Sequence, residues 1–210
     1  MANEIADKTK RIIRKLYGNG TPDKAVLASL RTAETITSLR AKDVWPLLFS
    51  ELEEKDLSKD PKGTPIRAEV AIYTALRCYA LAQQGVEQSA YAPAWNGKKD
   101  TDKKAEGTTL FQALSQMRLN AKNSGALDRR VHTLLATRNT SSVIRSITQL
   151  VQIMKSQYGD IKVDYAQLAQ DLYYFTLSYE AANHIRLKWG QQYYWQSASA
   201  KNQNAREENE

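Results

Sequence analysis

The sequence predicts an all-α fold, a compact bundle of eight or nine helices, from three observations. Apolar residues recur at three- and four-residue spacing along almost the whole of the 210-residue chain, no segment sustains an apolar/polar alternation, and glycines, prolines and short polar residues punctuate the apolar stripes. Asn96-Gly97 lacks flanking β-branched runs and sits in polar sequence, so it does not announce a hairpin. No fixed-period repeat is visible, which argues against a solenoid.

The elements follow in order. Ile5, Ile12, Ile13 and Leu16 form a first helical stripe, stopped by Gly18-Asn-Gly20. Thr21-Pro22 has the form of an N-cap followed by proline at the first helical position, opening a helix through Val26, Leu27 and Leu30 towards Leu39. Trp45-Pro46-Leu47-Leu48 begins a short helix. Residues 66–84 are apolar or aromatic on nearly every side, as befits the centre of a bundle, so Arg77 within them must be paired, snorkelling or touching a ligand. Residues 96–107 form a polar loop, the place where two packed halves would meet.

Beyond that loop, Leu110, Leu114, Met117 and Ala121 make one stripe, closed by Asn123-Ser-Gly125. Leu127, Val131, Leu134 and Leu135 make the next. Val143, Ile144, Ile147, Leu150, Val151 and Met154 make a third, capped by Ser141 or Ser142 and ended by Tyr158-Gly159. Asp164 caps a helix through Leu168, Leu172 and Thr176, and a last helix runs through Ile185 and Trp189 to Trp195. The expected organisation is a single all-helical domain over 1–195 and a polar, disordered tail over 196–210.

Composition narrows the function classes. With 42% hydrophobic and 25% charged residues, the chain has enough apolar material for a core and is neither a disordered protein nor a disulfide scaffold. No long apolar run or signal-peptide layout appears, and the single cysteine, Cys78, suits a reducing compartment, so a cytoplasmic location is expected. Thirty bases against 23 acids leave a net +7, which favours an anionic partner.

That charge is unevenly spread. Residues 107–158 hold Arg118, Lys122, Arg129, Arg130, Arg138, Arg145 and Lys155 against one acid, Asp128. Residues 42–60 hold six acids against three lysines, and a second basic cluster (Lys8, Lys10, Arg11, Arg14 and Lys15) opens the chain. Local excess of this kind reads as an electrostatic footprint for an anionic partner or, more plainly, as a solvated helix face; the near-absence of acids favours the first, since ordinary surfaces mix both signs. At about 100° per residue, Arg145 lies about 160° from the centre of its apolar stripe, with Gln149 and Gln152 on the same outward face. Arg129 also points away from its stripe, Arg130 lies on its flank, and Arg118 and Lys122 sit at the edge of theirs. Arginine outnumbers lysine in this stretch, which suits bidentate contacts to phosphate.

No catalytic constellation emerges. His132, His184 and Cys78 are too few and too scattered for a zinc site, and Cys78 lies in the most apolar helix, where a thiol is inert. No P-loop or dinucleotide fingerprint is present. Catalytic, metal and cofactor-binding residues are therefore expected to be none, and no cofactor is expected. The aromatic cluster Tyr173, Tyr174, Phe175, Tyr179, Trp189, Tyr193, Tyr194 and Trp195 reads as core or subunit contact rather than a base-stacking platform.

Taken in order, several short motifs resemble the CasB family, the small subunit of the type I-E CRISPR surveillance complex Cascade. They are Leu110-Phe-Gln-Ala-Leu114, Asn123-Ser-Gly125, Asp128-Arg-Arg-Val131 with Leu134-Leu135, the helix 143–154 with Leu150-Val151, and Val163-Asp-Tyr165 with Leu168-Ala169 and Asp171-Leu172. Arg186-Leu-Lys-Trp-Gly190 follows them, and Val44-Trp-Pro-Leu-Leu48 and Tyr79-Ala-Leu-Ala-Gln-Gln84 precede them. The resemblance covers most of 44–195. It departs from the family at Gln83-Gln84, where histidine-glutamine is common, and leaves the first 40 residues and the loop 96–107 without a counterpart.

The resemblance implies a non-enzymatic, all-helical subunit of a ribonucleoprotein in antiviral defence, present twice in a complex with CRISPR RNA and other Cas subunits. It implies contacts to the target and non-target DNA strands that stabilise the R-loop, carried here by Arg129 and Arg130 first, then Arg145, Arg138, Arg118 and Lys122, with Arg77 a weaker candidate. A helical protein–protein adaptor whose basic face meets an acidic protein is the alternative. A small transcription regulator is a third reading, although no helix-turn-helix stands out.

Overall fold

The computed structural model describes residues 3–94, 106–121, 124–159 and 161–195. The tail 196–210, Lys122 and most of the loop 96–107 lie outside the described residues. Nine α-helices are formed among those described: α1 Glu4–Tyr17, α2 Lys24–Thr32, α3 Trp45–Phe49, α4 Arg67–Gln83, α5 Leu110–Asn120, α6 Gly125–Ala136, α7 Thr140–Gln157, α8 Tyr165–Phe175 and α9 Tyr179–Tyr194. Isolated bridges, with no strand among the described residues, complete the backbone pairing.

Local chemistry explains most boundaries. α1 ends where Gly18 takes a left-handed conformation (φ 54°), which glycine adopts without steric cost. The Asp164 carboxylate accepts the Gln167 N–H at 2.9 Å and caps α8, and Ser178 caps α9 by accepting the Ala181 N–H. Glu69 accepts the Ile66 N–H at 2.8 Å and closes the start of α4.

Two caps and one terminus differ from the sequence expectation. α2 is capped by Asp23, whose carboxylate accepts the Val26 N–H at 3.0 Å, and Thr21-Pro22 stays outside the helix. α2 also stops at Thr32 rather than near Leu39. Its C-cap Ala33 is extended, and the hydroxyls of Thr35, Thr37 and Ser38 then bond to one another and to backbone, which competes with helix. Ile36 turns into the core there, while Leu39 is left 84% exposed. α7 is capped by Asn139, not Ser141 or Ser142, because the Asn139 side-chain oxygen reaches the Ser142 N–H at 2.9 Å.

α4 forms the hub, as its apolar circumference requires. It packs on α8, α2, α7 and α1, while α1 lies along α8, and α5 and α8 both meet α9. One contiguous apolar cluster runs from Ile5 in α1 to Tyr193 in α9. Within it, Trp189 stacks on Phe111 at 4.8 Å and on Phe175 at 5.8 Å, so these aromatics belong to the core.

The two flanks of the polar loop are tied together. Thr108 donates to Lys162 O, Asp164 N–H donates to Thr108 O, Val163 N–H donates to Ala90 O, and the Asp164 carboxylate accepts the Ala94 N–H. Gly107 lies so close to Ala92 that a Cβ there would meet the Ala92 carbonyl oxygen at 2.1 Å. Only glycine permits this approach.

Candidate nucleic-acid interface

α7 is held by α4, α5 and α6, and the face it leaves free is polar. Val143, Ile147, Leu150, Val151 and Met154 are buried, whereas Arg145, Gln149 and Gln152 are exposed. α6 follows the same rule: Leu127, Val131 and Leu134 are buried while Arg129 and Arg130 are exposed. α6 and α7, joined through residues 137–139, leave a cleft of about 450 Å³ between them. Arg129, Arg130 and Thr133 line it from α6, and Ser146, Gln149 and Leu150 from α7. Among the described residues, no carboxylate lines this cleft. The phase of the two helices therefore brings two guanidiniums, two hydroxyls and an amide to one concavity.

The other cations are distributed around it. Arg145 lines a neighbouring cleft of about 510 Å³ between α7, α4 and residues 34–37, together with Arg77. Arg138, exposed in the α6–α7 turn, lies 5.3 Å from the centre of the Tyr179 ring. Arg118 is engaged inside the fold: its Nε donates to Asp128 at 2.8 Å and its guanidinium lies over Tyr193 and Tyr194. Among the described residues, no carboxylate pairs with Arg129, Arg130, Arg138 or Arg145.

The N-terminal basic cluster has a different fate. Lys8 is buried and reaches Glu4 at 2.7 Å, Asp56 at 2.5 Å and Glu53 at 3.2 Å, while Arg11 and Lys15 both pair with Glu51. Burial alone pushes the Lys8 ammonium down, but hydrogen bonds to Asp56, Glu4 and Glu53 outweigh it and hold it above the ordinary lysine range. Salt links from Lys55 and Lys8 hold Glu4 down at about 2. The acidic stretch and the basic start of the chain, read in sequence as two local excesses of opposite sign, pair through Lys8, Arg11 and Lys15. The oxygens of Glu4, Glu53 and Asp56 lie within 4.8 Å of one another, a metal-like spacing, and the cation they surround is Lys8.

The single cysteine is held away from chemistry. Cys78 is fully buried, and burial raises its thiol to about 12 against the opposing positive field of Arg77. His132 and His184 are exposed and far from it in sequence. Thr133 and Ser146, which complete the α6–α7 cleft, escaped the sequence reading because a lone hydroxyl carries no periodic signal. No described helix is long and apolar enough to cross a membrane.

These features define an all-helical bundle that gathers exposed arginines along the two faces of one helix. The profile of the CRISPR-associated protein Cse2 family matches residues 26–194, reaching further towards the N-terminus than the sequence motifs did. The chain belongs to this family, the Cse2 or CasB proteins. Two crystal structures share the fold: CasB from Thermobifida fusca (TM-score 0.66, 19% identity, 93% of this chain and 100% of that one) and M. ruber CasB (TM-score 0.60, 19% identity, 96% and 97%). No curated protein matches the sequence. Membership of the family supports a subunit of a CRISPR surveillance complex.

Proposed function

We propose that this protein is a non-catalytic small subunit of a type I-E CRISPR surveillance complex that steadies the R-loop by holding nucleic-acid backbone. One observation carries the reading: Arg129 and Arg130 share a cleft with Thr133, Ser146 and Gln149 that no carboxylate lines among the described residues. Guanidiniums, hydroxyls and amides are the donors that bind phosphate without reading sequence. Exchanging a DNA duplex for an RNA–DNA hybrid is nearly balanced in free energy, so such contacts can tip it. Arg145 and Arg138 extend the surface, Lys122 adds a charge three residues before Gly125 in the sequence, and Arg118, held by Asp128, positions the start of α6 beside them. The partners are CRISPR RNA, other Cas subunits, both DNA strands and a second copy of the chain, in the cytoplasm and with no cofactor.

The test is Arg129→Glu/Arg130→Glu in the assembled complex. Both residues are exposed, so the variant is expected to melt as the wild type does while DNA retention falls, and the deficit grows with salt. Unchanged retention at two salt concentrations would overturn the assignment. Recovery of the chain from its host with one acidic protein, insensitive to ribonuclease, would favour the adaptor instead.

A further inference from the structure

The 510 Å³ cleft on the α4 side of α7 contains a charge that the fold leaves unbalanced. Arg77 is half-buried in the most apolar helix of the protein. Of its five N–H donors, one is used by Nη1, which reaches Thr148 Oγ1 at 3.3 Å, and Nε is buried with no partner. No carboxylate pairs with Arg77 among the described residues, and Glu34, the single acid among the residues lining the cleft, is exposed. A cation drawn out of water without a counter-ion is costly, and an incoming anion removes that cost.

The rest of the wall is not that of a simple anion site. Arg145 supplies a second guanidinium, while Ile36, Val70 and Ile144 supply apolar surface and Gln149 and Gln152 supply amides. Guanidinium, amide and apolar surface in a volume of this size match a phosphate joined to a base, which the Arg145 guanidinium plane and the aliphatic wall can both cover. Gln149 also lines the α6–α7 cleft, so the two concavities adjoin across one side chain.

We propose that this cleft seats a nucleoside phosphate, one unstacked nucleotide of a strand continuing into the α6–α7 cleft, with its phosphate at Arg77 and Arg145 and its base on Ile36, Val70 and Ile144. The inference rests on the reading of the α6–α7 face as a backbone-binding surface. It adds a pocket for a single base to what is otherwise sequence-blind phosphate contact.

The test uses the full chain and two probes: thymidine monophosphate alone, and a single-stranded oligonucleotide of about twelve nucleotides carrying one fluorescent purine analogue. The oligonucleotide is expected to bind with an altered signal from the analogue. Arg77→Met and Gln152→Glu are each expected to weaken it about tenfold, the value of a charge-assisted contact. Melting of Arg77→Met is expected to stay level or rise, because the substitution removes an uncompensated cation. A lowered melt with unchanged binding would make Arg77 a structural residue and overturn the inference. Gln152 is exposed, so its variant keeps the test decisive should Arg77→Met fail to fold.

Thymidine monophosphate binding as tightly as the oligonucleotide, with the same dependence on Arg77, would overturn the strand and leave a free nucleotide in its place. Failure of both probes to bind the wild-type chain overturns the cleft altogether. The broader function fails separately, through unchanged DNA retention by the Arg129→Glu/Arg130→Glu complex.

Discussion

Asp128 shows how one residue decides what its neighbours can do. Its carboxylate accepts from Arg118 Nε and Tyr193 Oη at 2.8 Å and from Ser124 Oγ at 2.9 Å, joining α5, α6 and α9 beside the two arginines that follow it. Burial pushes this carboxyl up, but the hydrogen bonds from Tyr193, Ser124 and Arg118 outweigh it and hold it below the ordinary aspartate value. Asp128→Asn keeps the shape and removes the charge, and is expected to lower stability by about 1–2 kcal/mol, read as a drop of about 3–6 °C in thermal melting. In the sequence Asp128 was legible as the single acid of a basic quarter and as the first residue of one family motif. That it occupies Arg118, and leaves Arg129 and Arg130 unpaired, depends on a contact with α9 65 residues away.

At the scale of elements, the link between α1 and residues 53–56 is the clearest case of charge used as structure. Lys8 has a side chain 2% exposed and three carboxylates around it, which α1 brings inward on the same face as Ile5 and Ile12. Removing the ammonium leaves those carboxylates facing one another, so Lys8→Met is expected to cost about 3 kcal/mol, measured by denaturant unfolding. Replacing Asp56 by leucine in the same chain is expected to restore part of that loss. The helices themselves were largely legible, because an apolar stripe at helical spacing needs only a partner to pack against. The end of α2 was not. Ile36 continues the apolar pattern, yet the hydroxyls of Thr35, Thr37 and Ser38 break the helix first.

For the whole molecule, the carboxyls of Glu4, Glu51, Glu53, Asp60, Asp128 and Glu180 are all held below their ordinary values, chiefly by lysine, arginine, hydroxyl and backbone donors. Each contributes stability that is present above its unfolded pKa and is lost as the pH falls through the lower folded value. Asp164 runs the other way, since burial raises it despite the hydrogen bonds from Ala94, Gln167 and Ala166. Lys8, raised in the folded state, loses its contribution only in strong alkali. Melting temperature is therefore expected to hold from neutrality to about pH 5 and to fall progressively towards about pH 2, with a scan of thermal melts as the check. A flat profile across that range would show that these pairs add nothing to stability.

By itself the sequence determined the helical class, the central place of 66–84, the outward phase of Arg129 and Arg145, and a set of ordered motifs that carry the family resemblance. All of these are local or periodic properties, fixed by which residues lie three or four apart. The tertiary structure decided which charges are spent and which remain. Lys8, Arg11 and Lys15 of the N-terminal cluster are paired with Asp56 and Glu51, about 40 residues away, and Arg118 is taken by Asp128. Arg77 and Arg145, on helices whose contact lies 71 residues apart at Thr148, are brought to one cleft. Charge acts through space, and only the packing of the helices sets those distances.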